Sequence, residues 1–252
     1  MTTLGDRMKD YEGAYDVKII GRVPVIIRVD GKGFSKWTKT IQAKKPFDEQ
    51  LCKNMSETMS RTAEKIEGCV FGYTQSDEMT FVLRNDQSLE STPWFGNRVQ
   101  KICSVVASTV SSIFAGQTCG LPLAFFDARV FAVPSVQEAI NCLIWRQNDA
   151  VKNSVSAACY YETSKIVGKK TARKLMHGLN QKQQQELLFQ QAGINWNDYP
   201  VKFKRGVGCY HKTFEVDIDG NLCLRSRWEI DEELPVFTKD PSYLDNIFDM
   251  EG

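Results

Sequence analysis

Val70-Phe71-Gly72-Tyr73-Thr74-Gln75-Ser76-Asp77-Glu78-Met79-Thr80-Phe81-Val82-Leu83 sets two apolar, β-rich runs on either side of five polar residues. That pattern predicts a hairpin with residues 74–78 as its turn. Upstream, residues 23–29 form another short β-rich run that ends at Asp30-Gly31. Between the two, Asp48 can cap a helix to about Glu67. Leu51, Met55, Met59, Ala63 and Ile66 follow at helical spacing, and Gly68 stops it. Downstream, residues 95–114 carry Val99, Ile102, Cys103, Val106 and Val110 on one helical face. Residues 126–133 are a fourth strand, stopped at Pro134. The order is β-α-β-β-α-β, the split pattern that builds an antiparallel sheet with helices on one face. The fold class is α+β. This order brings Asp30 and Asp77 together although they are 47 positions apart.

Residues 1–135 make this catalytic half, and 136–252 a mainly helical half with a hairpin. Ser135 caps a helix to about Val151, and 154–163 reads as a second helix or a broken continuation. Stretches 157–166, 172–179 and 181–192 follow as helices. Residues 207–228 return to strand-like alternation, with Asp219-Gly220 as the turn. Residues 229–252 hold eight acids against one base and read as an acidic tail. The remaining residues, 31 bases against 23 acids, carry +8, compatible with a polyanionic partner. A solvated C-terminus explains the same charges. Eight scattered cysteines without a C-x-x-C pair, and only two histidines, argue against zinc. Thiols among apolar neighbours read as reduced and buried, which suits a cytoplasmic protein. No signal segment opens the chain, and no apolar run approaches a membrane span.

The chemistry-bearing residues fall where strands end. Asp30 offers an anionic oxygen to a hard cation, and Gly31 lets its carbonyl approach. The N–H groups around Lys32, Gly33 and Phe34 can form an anion-binding nest. Alone, this is also what a plain Asp-Gly turn looks like. Asp77 and Asp30 make a carboxylate pair able to hold two Mg²⁺, with Glu78 as support or third ligand. Ser76 could meet a phosphate or a metal-bound water. Two solvated acids at a turn read the same way until both motifs are placed on adjoining strands.

Arg28 to Phe34, Gly72 to Glu78 and Phe126 to Ser135 together resemble the tRNA-histidine guanylyltransferase family and its "like" relatives, which are 3′-to-5′ RNA polymerases. The resemblance spans about residues 6–228. It implies a polymerase/cyclase-type palm and two-metal nucleotidyl transfer, with Asp30, Gly31 and Asp77 on Mg²⁺ and ATP and GTP as substrates. Lys45 matches the family's lysine-proline segment. Arg98 and Lys101 match its W-F-x-x-R-x-x-K segment and, three apart on one helical face, could share a triphosphate. Arg146 lies in the family's W-R-Q-x-D. Its histidine-asparagine signature is only half present: Val151 replaces the histidine and Asn153 remains. That departure favours the "like" branch, which is associated with template-dependent 5′-end repair of tRNA or other structured RNA. Arg28, Arg129, Arg146, Lys152, Asn153, Lys204 and Arg205 are candidate RNA contacts. The family also implies a homo-oligomer, a tetramer or dimer. Two rivals remain: a nucleotide cyclase or cyclic-dinucleotide synthase working without RNA, and a catalytically inactive RNA-binding module.

Overall fold

The structure, a computed structural model, describes residues 2–88, 90–218 and 221–249. Its elements run α1 (Leu4–Gly13), β1 (Val25–Gly31), α2 (Phe34–Thr40), α3 (Glu49–Ala63), β2 (Cys69–Gln75) and β3 (Glu78–Leu83). Then come α4 (Val99–Gln117), β4 (Phe126–Ala132), α5 (Val136–Val167), α6 (Lys169–Met176), α7 (Gln181–Ala192) and α8 (Val201–Arg205). The chain closes with β5 (Val207–Ile218), β6 (Asn221–Asp231) and α9 (Ser242–Asp249).

The quoted stretch folds as the hairpin its pattern dictates, with only Ser76 and Asp77 between the strands. Ser76 takes a φ of +57°, the left-handed conformation found in tight turns. The antiparallel sheet has the order β4-β1-β3-β2-β5-β6. Its first four strands are the β-α-β-β-α-β core. The hairpin of the second half extends this same sheet beside β2, rather than forming a separate layer. Its expected turn at Asp219-Gly220 lies outside the described residues.

Strand alternation sorts side chains onto two faces. Val25, Ile27 and Val29 pack with Met79 and Phe81 against α3 and α4, through Met55, Met59, Ile102, Val106 and Phe114. Asp48 caps α3 as expected, accepting from Leu51 N at 2.9 Å, and the helix ends at Ala63, short of Glu67. The opposite face, with Ile26, Phe71, Tyr73 and Val82, is covered by Ala139, Ile140 and Leu143 of α5 and by the C-terminal segment. The two helices of the core therefore sit on one face as read, and the second half supplies a cover for the other.

Four further readings change. α5 is one 32-residue helix capped by Ser135, not two pieces. No Pro or Gly interrupts it, and its apolar stripe changes partner midway. Ala139 and Leu143 face the sheet, whereas Val155, Ala158 and Cys159 join Leu188 and Trp196. α4 begins at Val99 because Phe95, Gly96 and Asn97 all take left-handed φ values. Asn97 Nδ2 there ties down Ile20 O at 3.2 Å. α4 is also long and apolar enough to cross a bilayer by length and composition, against the expectation of no such run. Here its apolar stripe packs on the sheet. Three cysteines are buried (Cys69, Cys159, Cys209), four are half-buried and Cys119 is exposed.

The acid-rich C-terminal segment is not a solvated tail. Leu234, Phe237, Leu244 and Phe248 are buried in the α5-side core. Gln147, itself buried, clamps the segment at both ends of its amide: Nε2 donates to Pro235 O and Oε1 accepts from Phe237 N, each at 2.9 Å. Phe237→Ala should therefore cost about 3–5 kcal/mol in urea unfolding, as for any large buried aromatic. A loss under about 1 kcal/mol would mean the segment is peripheral to the fold.

Candidate active site

β-register builds the site. On β1, Asp30 lies opposite Asp127 of β4 and Glu78 of β3, so three carboxylates stand in one row on the α5-covered face. Asp77 approaches from the turn. The Gly31 N–H donates to Asp77 O at 3.1 Å. A Cβ on Gly31 would fall 2.9 Å from Asp77 Cβ and 2.5 Å from Phe34 Cδ2. Only glycine lets the strand exit and the turn close to this distance.

The crowding shows in the titration of the acids. Partial burial raises the Asp30 carboxyl above its ordinary range, with the Glu78 and Asp127 charges adding and Arg129 and Arg28 opposing. Burial likewise raises Asp77. The Ser76 hydroxyl, donating to Asp77 Oδ1 at 2.9 Å, opposes that shift, and Asp30 and Glu78 add to it. A carboxylate pair uncomfortable in its ionised form suits a divalent cation, which takes oxygen ligands and fills its remaining positions with water or phosphate. Among the described residues no group of three or more His, Cys, Asp or Glu has metal-holding geometry. The fitting set is thus the smaller one: Asp30, Asp77 and the Gly31 carbonyl.

Glu78 is otherwise engaged. Its Oε2 accepts from Arg146 Nη2 at 2.5 Å and from Arg28 Nη2 at 3.2 Å, and Arg146 also reaches Asp149 Oδ2 at 3.1 Å. Arg146 is buried, and the two guanidiniums stack on Trp145 at 4.6 and 5.2 Å. Arg28 and Arg146, read from the sequence as RNA contacts, both pair with Glu78, read as support or third ligand, which also lines the cavity beside the turn. The cluster anchors the hairpin beneath α5.

A cavity of about 820 Å³ opens beside the turn. Ser76 and Asp77 form one wall, and Lys44, Lys45, Lys169 and Lys202 others. Lys45 lies over Tyr161 at 5.6 Å, and Phe47 stacks on Phe203 at 5.0 Å. Asn153 lines it as well, while Lys152 is exposed outside it. The chain does not announce Lys169 and Lys202 as cavity residues, because α6 and α8 reach the cavity only through tertiary packing. Lys202 is held by Glu232 at 2.8 Å and by Glu49.

Other expected residues stand elsewhere. Arg98 precedes the first turn of α4, with Nε 3.1 Å from Asp16 Oδ2, and Lys101 lies over Phe95 at 4.7 Å. They do not share the expected helical face and do not line the cavity. The Lys32 N–H is taken by Phe125 O at 2.8 Å, so the expected nest shrinks to the free first N–H groups of α2. Phe34 is buried against Trp37, Phe114 and Phe126 and can offer only its backbone. Arg129 is exposed beside the acid row, 3.4 Å from Asp127 and 4.0 Å from Asp30. Lys204 Nζ donates to Asn197 O at 2.5 Å, and the half-buried Arg205 gives its carbonyl to Tyr73 Oη at 2.7 Å. Asp127 was the carboxylate that strand pattern alone did not single out; its register opposite Asp30 is what reveals it.

Residues 5–134 match the family described as tRNAHis guanylyltransferase, and residues 137–233 match its Thg1 C terminal domain. The probable tRNA(His) guanylyltransferase of Drosophila melanogaster is 33% identical over 76% of this chain and 68% of its own length. tRNA(His) guanylyltransferase 1 of Arabidopsis thaliana is 28% identical over 81% of this chain, which spans only 37% of that protein. Two solved structures of a bacterial tRNA(His) guanylyltransferase (Thg1)-like protein, one in complex with ATP and one with GTP, superpose with TM-scores of 0.81. They are 36% and 38% identical and cover 98% of this chain and 99% of theirs. A match of that extent means the chain belongs to the tRNAHis guanylyltransferase family, and with it to the nucleotidyltransferases.

Proposed function

We propose that this enzyme adds nucleotides, template-directed and in the 3′-to-5′ sense, to the 5′ end of tRNA or another structured RNA, using ATP and GTP. The single observation that carries this reading is the close junction of Gly31, the residue after Asp30, with Asp77, which itself lines a lysine-bearing cavity. In the reaction, the 3′-hydroxyl of an incoming nucleoside triphosphate joins an activated 5′ phosphate, and the activating group departs. Asp30 and Asp77, with the Gly31 carbonyl, would hold two Mg²⁺, which supply Lewis-acid stabilisation of phosphoryl oxygens and an acidified hydroxyl. Ser76 orients the Asp77 carboxylate through its 2.9 Å hydrogen bond. Lys45 and Lys44 place point charges where a triphosphate would lie. The Glu78–Arg28–Arg146 cluster keeps the turn fixed while the acids above it carry their charge. A cyclase acting without RNA has the same sheet order, but family membership favours RNA extension.

Asp30→Asn and Asp77→Asn should each lower kcat by about a thousandfold or more on a tRNA lacking its first 5′ nucleotide, supplied with ATP, GTP and Mg²⁺. Rates within about tenfold of the wild type in either variant would remove the metal assignment. Product formed from ATP and GTP without RNA would instead favour the cyclase.

The raised acids also set a stability signature. A carboxyl whose folded pKa lies above its unfolded one costs the native state at neutral pH, and the cost disappears as pH falls through the folded value. Without divalent cations at pH 7, Asp77→Asn should therefore have a higher Tm than the wild type. The gap should close towards pH 4, near the ordinary aspartate pKa. Mg²⁺ should raise the wild-type Tm and leave that of the variant unmoved. A lower Tm for Asp77→Asn at pH 7, with no response of the wild type to Mg²⁺, would contradict the strained-pair account.

A further inference from the structure

Outside the cavity, the strongest charge feature is α6. Lys169, Lys170, Arg173, Lys174 and His177 line an open groove of about 610 Å³. Lys169, Lys170, Arg173 and Lys174, spaced at i, i+1, i+4 and i+5, form two adjoining stripes on one helical face, and His177 follows at the C-cap. Residues 163–182 contain no acid. Among the described residues, none of Lys169, Lys170, Arg173 and Lys174 joins an ion pair, although cations elsewhere do so repeatedly. Only Ala172 of α6 is buried. That small residue seats the helix close to the rest of the fold and leaves its cations outward. Gly168 sets the angle: its φ of +80° and ψ of 153° end α5 and start α6 in a conformation that side chains with a Cβ rarely adopt.

Unpaired cations on one face are usually mere solvation. Here one residue argues otherwise. Lys169 lines both the α6 groove and the cavity that holds Asp77, so the two adjoin at that side chain. Arg173 lies over Tyr160 at 5.7 Å, whose neighbour Tyr161 lies under Lys45 in the cavity. A track of cation and aromatic residues thus runs from the wall bearing the acids out onto α6.

We propose that α6 is a backbone-phosphate rail for the RNA substrate, engaging the strand as it leaves the active-site cavity past Lys169. It rests on the reading of this cavity as an RNA 5′-end site. Eight residues at about 1.5 Å rise span about 12 Å, enough for a few consecutive phosphates. Contacts of this kind hold the phosphates without reading the bases, and their strength falls with salt through counterion release.

The test is Lys170→Gln/Lys174→Gln, two exposed positions that do not line the cavity. Binding of a tRNA lacking its first 5′ nucleotide is measured between about 50 and 300 mM KCl, beside ATP affinity and extension of a short acceptor-stem oligonucleotide too small to reach α6. Expected is about a tenfold weaker tRNA affinity at low salt. The slope of log K against log[KCl] should become shallower by roughly 1.5, from two contacts at about 0.7–0.9 each. ATP affinity and extension of the short oligonucleotide should be unchanged. An unchanged tRNA affinity and slope would overturn the rail, as would loss confined to binding of a matched acidic peptide, which would assign the face to a protein. If the wild type bound tRNA with the expected slope change in the variant but extended no RNA, the rail would stand and the proposed reaction would fall. Lys170→Arg/Lys174→Arg should restore both affinity and slope.

Discussion

An antiparallel register places Asp127, Asp30 and Glu78 shoulder to shoulder on one face of the sheet, and the rest of the molecule is arranged around that repulsion. The register is not free to slip. Shifting β1 by one residue would send Ile27 to the α5 side and drive Arg28 and Asp30, in one row with Ile26, into the apolar core under α3 and α4. Apolar alternation therefore fixes where the acids must stand, and the fold has to absorb the electrostatic cost. It does so unequally. Glu78 receives two guanidiniums, and Asp127 receives Arg129 at 3.4 Å. Asp30 has that same arginine at 4.0 Å and no closer ion pair, and Asp77 has the hydroxyl of Ser76 and a backbone N–H but no cation. The least compensated charge is left on Asp77, which lines the cavity, and on Asp30 beside it.

A buried ion cluster is weak as a source of net stability, since desolvation offsets much of the attraction. Its value here is positional. Arg146 projects from the middle of α5 and Arg28 from β1, and both end on one oxygen of Glu78. The helix that covers the site-bearing face is thereby locked in rotation to the turn that carries Asp77. Gln147, the next residue, turns to the opposite task and holds the C-terminal segment by two backbone hydrogen bonds. One helical turn joins the catalytic row to the cover of the core.

The sequence made the local parts legible. β-rich apolar runs gave the first four strands, Asp48 and Ser135 gave caps, and the hairpin tip gave Asp77 its place. Glycine after Asp30 pointed to a close approach, and the structure supplies its partner, Asp77. What stayed hidden depended on which surface each residue meets. α5 reads as two helices because its apolar stripe serves two cores in succession. Arg146 reads as an RNA contact, and nothing in the chain announces its partner Glu78, 68 positions away. Arg98 loses its helical face because three left-handed residues precede it, a conformation that Phe95 and Asn97 do not announce. Lys169 and Lys202 sit on short helices whose approach to the cavity is set by α5, not by any spacing in the chain.

The near-zero net charge of +1 is the remaining puzzle of the composition, and the fold resolves it by segregation. Three of the eight acids of the C-terminal segment are engaged by partners within the fold. Glu229 meets Lys212 at 2.7 Å, Glu232 meets Lys202 at 2.8 Å, and Asp231 accepts from Tyr243 Oη at 2.7 Å. None of these neutralises α6. A protein with balanced totals can thus present one unpaired basic face, because screening at physiological salt limits exposed charges to about 8 Å of influence. Polyanion binding is decided by that local arrangement. The +8 of residues 1–228 signalled it only because the compensating acids happen to be contiguous in the chain.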